Sequence, residues 1–265
     1  MRRLHTSRAP EPDEAALEGM DRLDQEGDPI GPTGDELPLL RPFGAEVTGP
    51  VVAEPGAGAE PEPVRVPRQA RELAALGRHL DAVLLLRRYL EEAPRDGAAR
   101  ALLAALLDEG GEEDEAVEEL TRALECSDDA VQVLIHRGML LARLGRAEEA
   151  EHDLRDAIRR GPGHAAAHFH LGVTLYRRGR TVQAAAALRQ ALEWDPEHAE
   201  ASYYLAETLQ AQGDLPGALA ELDRTLKLAP DQVRSFKLRG RLLDRMGRTD
   251  EALAMHRKAR EASIR

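Results

Sequence analysis

The sequence predicts an all-α solenoid of six stacked helix–turn–helix units, preceded by an extended, mostly irregular N-terminal arm. Three columns of residues carry that prediction. Gly77, Gly111, Gly145, Gly179, Gly213 and Gly247 recur every 34 residues. Ala82, Ala116, Ala150, Ala184, Ala218 and Ala252 keep the same step, as do Leu73, Leu107, Leu141, Leu175, Leu209 and Leu243. A fixed period of this size is the signature of stacked supersecondary units.

The arm comes first. Residues 1–62 hold 9 of the 16 prolines and 8 of the 22 glycines, with 5 Arg against 14 acidic residues. Such a stretch buries too little apolar area to offset the entropy of ordering it, so it is expected to be disordered unless bound. Residues 63–265 are nearly balanced in charge and rich in the helix formers Ala, Leu, Arg and Glu. The expected units are 63–96, 97–130, 131–164, 165–198, 199–232 and 233–265.

Within each unit, numbered from its first residue, apolar or small residues recur at positions 4, 7, 8 and 11. In the fourth unit these are His168, Leu171, Gly172 and Leu175, one face of a first helix. The Gly at position 15 can take the left-handed conformation that ends a helix. A second stripe follows at positions 20, 24, 27 and 28, here Ala184, Leu188, Ala191 and Leu192. Pro94, Pro162, Pro196 and Pro230 fall at position 32, where proline stops the second helix. Small residues at positions 8 and 20 let the paired helices approach closely. The last unit is polarised, with His256 and Arg260 where earlier units carry Leu or Ile. Exposed outer faces of terminal repeats call for such polarity.

Composition excludes several classes. The chain carries 36 Lys+Arg and 48 Asp+Glu over 265 residues, a net charge of −12. That balance argues against nucleic acid, whose binding rests on neutralised phosphates. A lone cysteine, Cys126, can form neither an internal disulfide nor a Cys-based zinc site. No apolar run is long enough to span a bilayer, and no apolar segment follows Arg2 and Arg3 as a signal peptide requires. A cytoplasmic protein is the expectation.

No phosphate loop, dinucleotide fingerprint, H-E-x-x-H or C-x-x-C occurs. No catalytic residue or cofactor is therefore expected, and the protein is read as not an enzyme. His164, His168 and His170 invite a metal reading. Residues two apart on a helix point to different sides, however, and position 168 is a core position, so no metal site is expected. Cys126 and Trp194 share position 30 with Leu228 and are expected to pack between units.

The pattern resembles the tetratricopeptide repeat (TPR), a 34-residue helix–turn–helix with Leu-Gly near positions 7–8, Ala at 20 and Pro at 32. "HLGVTLYRRGRTVQAAAALRQALEWDPEHAEA", starting at His170, is the clearest copy. Departures are Leu for Tyr at position 11, Asp128 for Pro in the second unit, and Arg137 and Arg239 at position 7. All keep the helical register. The resemblance implies a right-handed superhelix whose first helices line a concave groove through positions 2, 5, 6, 9, 12 and 13.

Mapped onto this sequence, those positions give His136, Met139, Arg143, Phe169, His170, Val173, Tyr176 and Arg177 as groove residues. Tyr203, Tyr204, Glu207, Lys237 and Arg241 complete the set. Four of the five aromatics between 169 and 204 map to the groove, and aromatics and Arg dominate binding hot spots. Arg234, Lys237, Arg241 and Arg245 form a basic strip suited to an acidic peptide. The carboxylate clamp that grips chaperone tails needs Asn at position 9. The residues there are Arg71, Ala105, Met139, Val173, Glu207 and Arg241, so that mode is not expected.

In the arm, Leu37, Leu39, Leu40, Phe43, Val47, Val51 and Val52 cluster as an extended docking peptide. Residues 11–26 could form a short acidic helix bearing Leu17, Met20 and Leu23. Two functions follow. The first is a non-enzymatic scaffold or adaptor that binds protein segments in the groove and tethers through the arm. The alternative is a permanent structural subunit of a large multi-subunit complex on the cytoplasmic face of a membrane assembly. Either way the partners are proteins, any membrane contact runs through them, and a homodimer through an end face stays open.

Overall fold

The computed structural model describes residues 62–126 and 130–264. The arm, with its proposed docking residues and the 11–26 helix, lies outside those residues, as does Asp128. Among the described residues, twelve helices and no strand are present.

The helices alternate in two sets. First helices are α1 (Glu62–Ala75), α3 (Gly97–Glu109), α5 (Val131–Arg143), α7 (Ala165–Arg177), α9 (Ala199–Ala211) and α11 (Val233–Arg245). Second helices are α2 (His79–Glu92), α4 (Glu113–Cys126), α6 (Ala147–Arg160), α8 (Thr181–Trp194), α10 (Leu215–Leu228) and α12 (Thr249–Ile264). Each first helix packs on its own second helix, and each second helix packs on the next first helix. Because α5 also touches α7, and α7 touches α9, the first helices form a continuous inner row. The result is an all-α solenoid.

The turn between paired helices is the same in all six units. Its glycine has φ between +71° and +84°. At Gly179 the backbone N–H donates to Tyr176 O and that of Arg180 donates to Leu175 O, both at 2.9 Å. This pair of bonds closes the C-terminus of α7 and satisfies its orphan carbonyls. The conserved-period Leu of position 11 thus supplies the carbonyl that receives the returning chain. At the other end, Asp96 and Asp214 cap α3 and α10, accepting from the N–H groups of Ala99 and Gly217 at 2.9 Å.

Small residues set the helix spacing. The six alanines at position 20 are fully buried. At position 8, a Cβ added to Gly172 would lie 2.6 Å from Leu188 Cγ, and one added to Gly138 would lie 2.8 Å from Leu154 Cγ. The helices touch where the side chain is missing.

The two arginines at position 7 found specific partners instead of apolar ones. Arg137 grips both oxygens of Asp153 at 2.7 and 2.9 Å and donates to Thr121 Oγ1 at 3.0 Å. Arg239 pairs with Asp223 at 2.9 Å. Register is kept because an acid or hydroxyl on the adjoining second helices receives each guanidinium. Arg137, Asp153 and Thr121, with Val117, Leu141 and His152, line an open pocket of about 440 Å³ between α4, α5 and α6.

One expectation needs correcting at position 30. Trp194 is 55% exposed, so it is not enclosed between units, whereas Cys126 is half-buried. The benzene side of the Trp194 indole lies against Gly163 in the preceding junction, its Cη2 and Cζ3 3.7 Å from where a Cβ would stand. In the last unit, Arg260 is exposed and His256 rests beside Gly240 while its Nε2 meets Asp244 at 2.9 Å.

Candidate functional site

The inner row of first helices collects positions 5, 6 and 9 of successive units into one strip. From α5 come Ile135, His136 and Met139; from α7, Phe169, His170 and Val173; from α9, Tyr203, Tyr204 and Glu207. Helical spacing places i, i+1 and i+4 on a shared face.

Aromatic rings join the units. Phe169 meets Tyr204 edge-on at 5.9 Å, Tyr204 meets Tyr203 at 5.6 Å and Tyr176 at 6.4 Å, and the His198 ring lies 4.5 Å from Phe169. Edge-to-face rings at such separations add attraction beyond area burial. The Arg234 guanidinium sits 4.3 Å from the Tyr203 ring centroid and pairs with Glu200.

Charge flanks this strip on both sides. On the α3–α5 side, Asp108 accepts from His136 Nε2 at 3.2 Å and from Arg143, whose guanidinium also meets Glu113 at 2.9 Å. Burial would raise the Asp108 carboxyl, but the hydrogen bonds from His136 and Arg143 outweigh it and hold the group below its usual range. On the α9–α11 side, Tyr203 donates to Glu207 at 2.8 Å. Burial raises the Glu207 carboxyl against the opposing Tyr203 hydrogen bond and Arg241 charge.

The expected groove residues divide by exposure. His136, Met139, Phe169, His170, Val173, Tyr203 and Tyr204 are buried, each between 2% and 6% exposed. Arg143, Tyr176 and Glu207 are half-buried, and Arg177, Lys237 and Arg241 are exposed. Burial pushes the His170 imidazole down to about 3, so it stays neutral near pH 7. Its two neighbours in sequence serve other ends. His168 Nε2 donates to Pro162 O at 2.9 Å, and His164 Nδ1 faces Gln132 at 3.3 Å. Among the described residues no three His, Cys, Asp or Glu side chains gather as a metal site, and no helix is long and apolar enough to cross a membrane.

Sequence reading missed Asp108, Glu113, His198 and Glu200, the partners of Arg143, Phe169 and Arg234. The signal was available: an acid at position 12 of one unit stands 35 residues before an Arg at position 13 of the next.

Two models described as tetratricopeptide repeat match this chain, one over residues 73–138 and 175–242 and the other over 136–193. The chain belongs to the tetratricopeptide repeat family. No curated protein gives a match. Solved structures that resemble this TPR chain include PilF from Pseudomonas aeruginosa, at 22% identity and a TM-score of 0.65, over 73% of this chain and 88% of that one. YrrB, titled a TPR protein with an unusual peptide-binding site, shares 22% identity at a TM-score of 0.56, covering 67% and 91% of the two chains. A MamA fragment from Desulfovibrio magneticus RS-1 shares 17% identity at a TM-score of 0.59, covering 66% and 99%. These likenesses establish the TPR fold.

Proposed function

We propose that this chain is a non-enzymatic protein-interaction scaffold whose inner row of first helices binds segments of other proteins. One observation carries the reading. Exposed Lys237 and Arg241 stand on α11, with Arg241 acting on the charge of Glu207 in the Tyr203–Glu207 pair of α9, and exposed Arg177 and half-buried Tyr176 stand on α7. Cations beside aromatic surface suit a peptide that carries both acidic and apolar side chains. The peptide-binding site named for YrrB supports the same use of this fold.

On this reading, half-buried Tyr176, Arg143 and Glu207 edge the contact surface. Buried Met139, Phe169, His170, Val173, Tyr203 and Tyr204 form its floor, with His136 fixing Arg143 through their shared Asp108. The arm supplies the tether. The test is a peptide array followed by titration with the Lys237→Glu/Arg241→Glu chain. Both side chains are exposed, so the fold should survive. Array-selected acidic peptides should lose about 10-fold or more in affinity, as expected for reversing charges at an interface rim. Unchanged affinity for every selected peptide would contradict the proposal.

A further inference from the structure

We propose that the junction between the fourth and fifth units is an acid-sensitive hinge in the inner row, opened when His170 and His198 take up protons. Both rings are held in places that suit only a neutral imidazole.

His198 ends the turn between α8 and α9. Its Nδ1 accepts the backbone N–H of Ala201 at 3.2 Å and so caps α9, while its ring packs 4.5 Å from that of Phe169 on α7. A ring nitrogen that accepts carries no proton. Protonating it sets one N–H against another and places a cation at the positive end of the α9 dipole. The Phe169 ring attracts a cation, and so does Asp195 in the same turn. Burial outweighs Asp195, however, and holds the His198 imidazole below its usual range. Position 34 of the first unit supplies the contrast. Asp96 caps α3 by the same bond, accepting from Ala99 N–H at 2.9 Å, and a carboxylate goes on accepting at about pH 5.

His170 adjoins Phe169 in sequence and is 3% exposed. Burial opposes its charged form most, followed by His198, by His136 and Arg143 of α5, and by Arg177 of α7. His136, at the same position 6 one unit earlier, is placed differently. Its Nε2 meets Asp108 at 3.2 Å, so a proton there strengthens an existing pair. Position 12 carries Asp108 in the second unit but Ala142 in the third, and Ala142 has no carboxylate to offer His170.

Burial also fixes the direction of the pH effect. The His170 imidazole falls from 6.5 to about 3 in the folded row. Its contribution to stability is therefore whole above about pH 6.5 and is lost as the pH falls toward 3. Between pH 7 and pH 5, one such group shifts the balance toward the opened, hydrated junction by about 25-fold. Each repeat of a solenoid contacts only its neighbours. The loss therefore falls on the contacts that Phe169 makes with His198 and Tyr204, and not on the array at large.

The test is amide hydrogen exchange of the full chain at about pH 7 and pH 5, corrected for the intrinsic change in rate. Protection in α7 and α9 should fall about 10-fold or more relative to α3. An equal fall in α3 would mark a general acid effect and overturn the proposal. The His170→Leu/His198→Asp chain carries the residues used at the same positions around α3, Leu102 and Asp96. It should keep its α9 protection at the lower pH, and a wild-type loss in that chain overturns the proposal. The His198→Asp chain gives an independent reading if the double variant does not fold. With a carboxylate cap, the first turn of α9 should stay protected in acid; loss of protection there equal to wild type overturns the proposal.

Discussion

Arg137→Leu should lower the free energy of unfolding by about 3 kcal/mol, the cost of breaking a buried ion pair from one side. The loss comes less from the missing guanidinium than from what it leaves behind. Asp153 is 3% exposed, and the bidentate contact at 2.7 and 2.9 Å meets both its oxygens. With Leu in place, the carboxylate keeps its desolvation cost and loses its main compensation. The next unit shows the remedy, since Leu171 and Ala187 occupy the same two positions there and both are buried. Arg137→Leu/Asp153→Ala should therefore recover most of the loss. Urea unfolding of the wild type and the two variants tests this. A double variant no more stable than the single one would show that the pair is not what holds this contact.

Gly172→Val should cost about 2–3 kcal/mol, in the range seen for overpacked cores. Its Cβ alone would stand 2.6 Å from Leu188 Cγ and 3.3 Å from the Leu188 backbone N. Leu188 is fully buried, so its branch point has nowhere to move. Removing a glycine from mid-helix returns about 0.5–1 kcal/mol, which the added methyls more than cancel. A drop in melting temperature of roughly 5–10 °C follows for a body of this size. A melting temperature equal to wild type would mean that α7 and α8 are not held as close as described.

The fold was legible because a repeat states its own register many times over. Gly at position 15, Ala at 20 and Leu at 11 each answer a geometric demand that every unit makes: a left-handed turn residue, a close helix contact and a buried stripe. The partners of Arg137 were harder to foresee. Asp153 sits 16 residues on and Thr121 16 residues back, a relation that exists only once the helices are stacked. Trp194 misled for a similar reason. Its column position pointed inward, but the residue stays 55% exposed. On the inner row, the burial of each side chain depends on what packs over its helix. Phase gives the direction of a side chain and not the depth of its surroundings. That is why Phe169 and Lys237, both at position 5, end at opposite extremes of exposure.

The most direct test of a binding inner row is hydrogen exchange of the full chain with and without a saturating array-selected peptide. Slowed exchange concentrated in α7, α9 and α11 is the result this account predicts. Protection confined to α8, α10 and α12 would contradict it, since the bound segment would then lie on the outer helices.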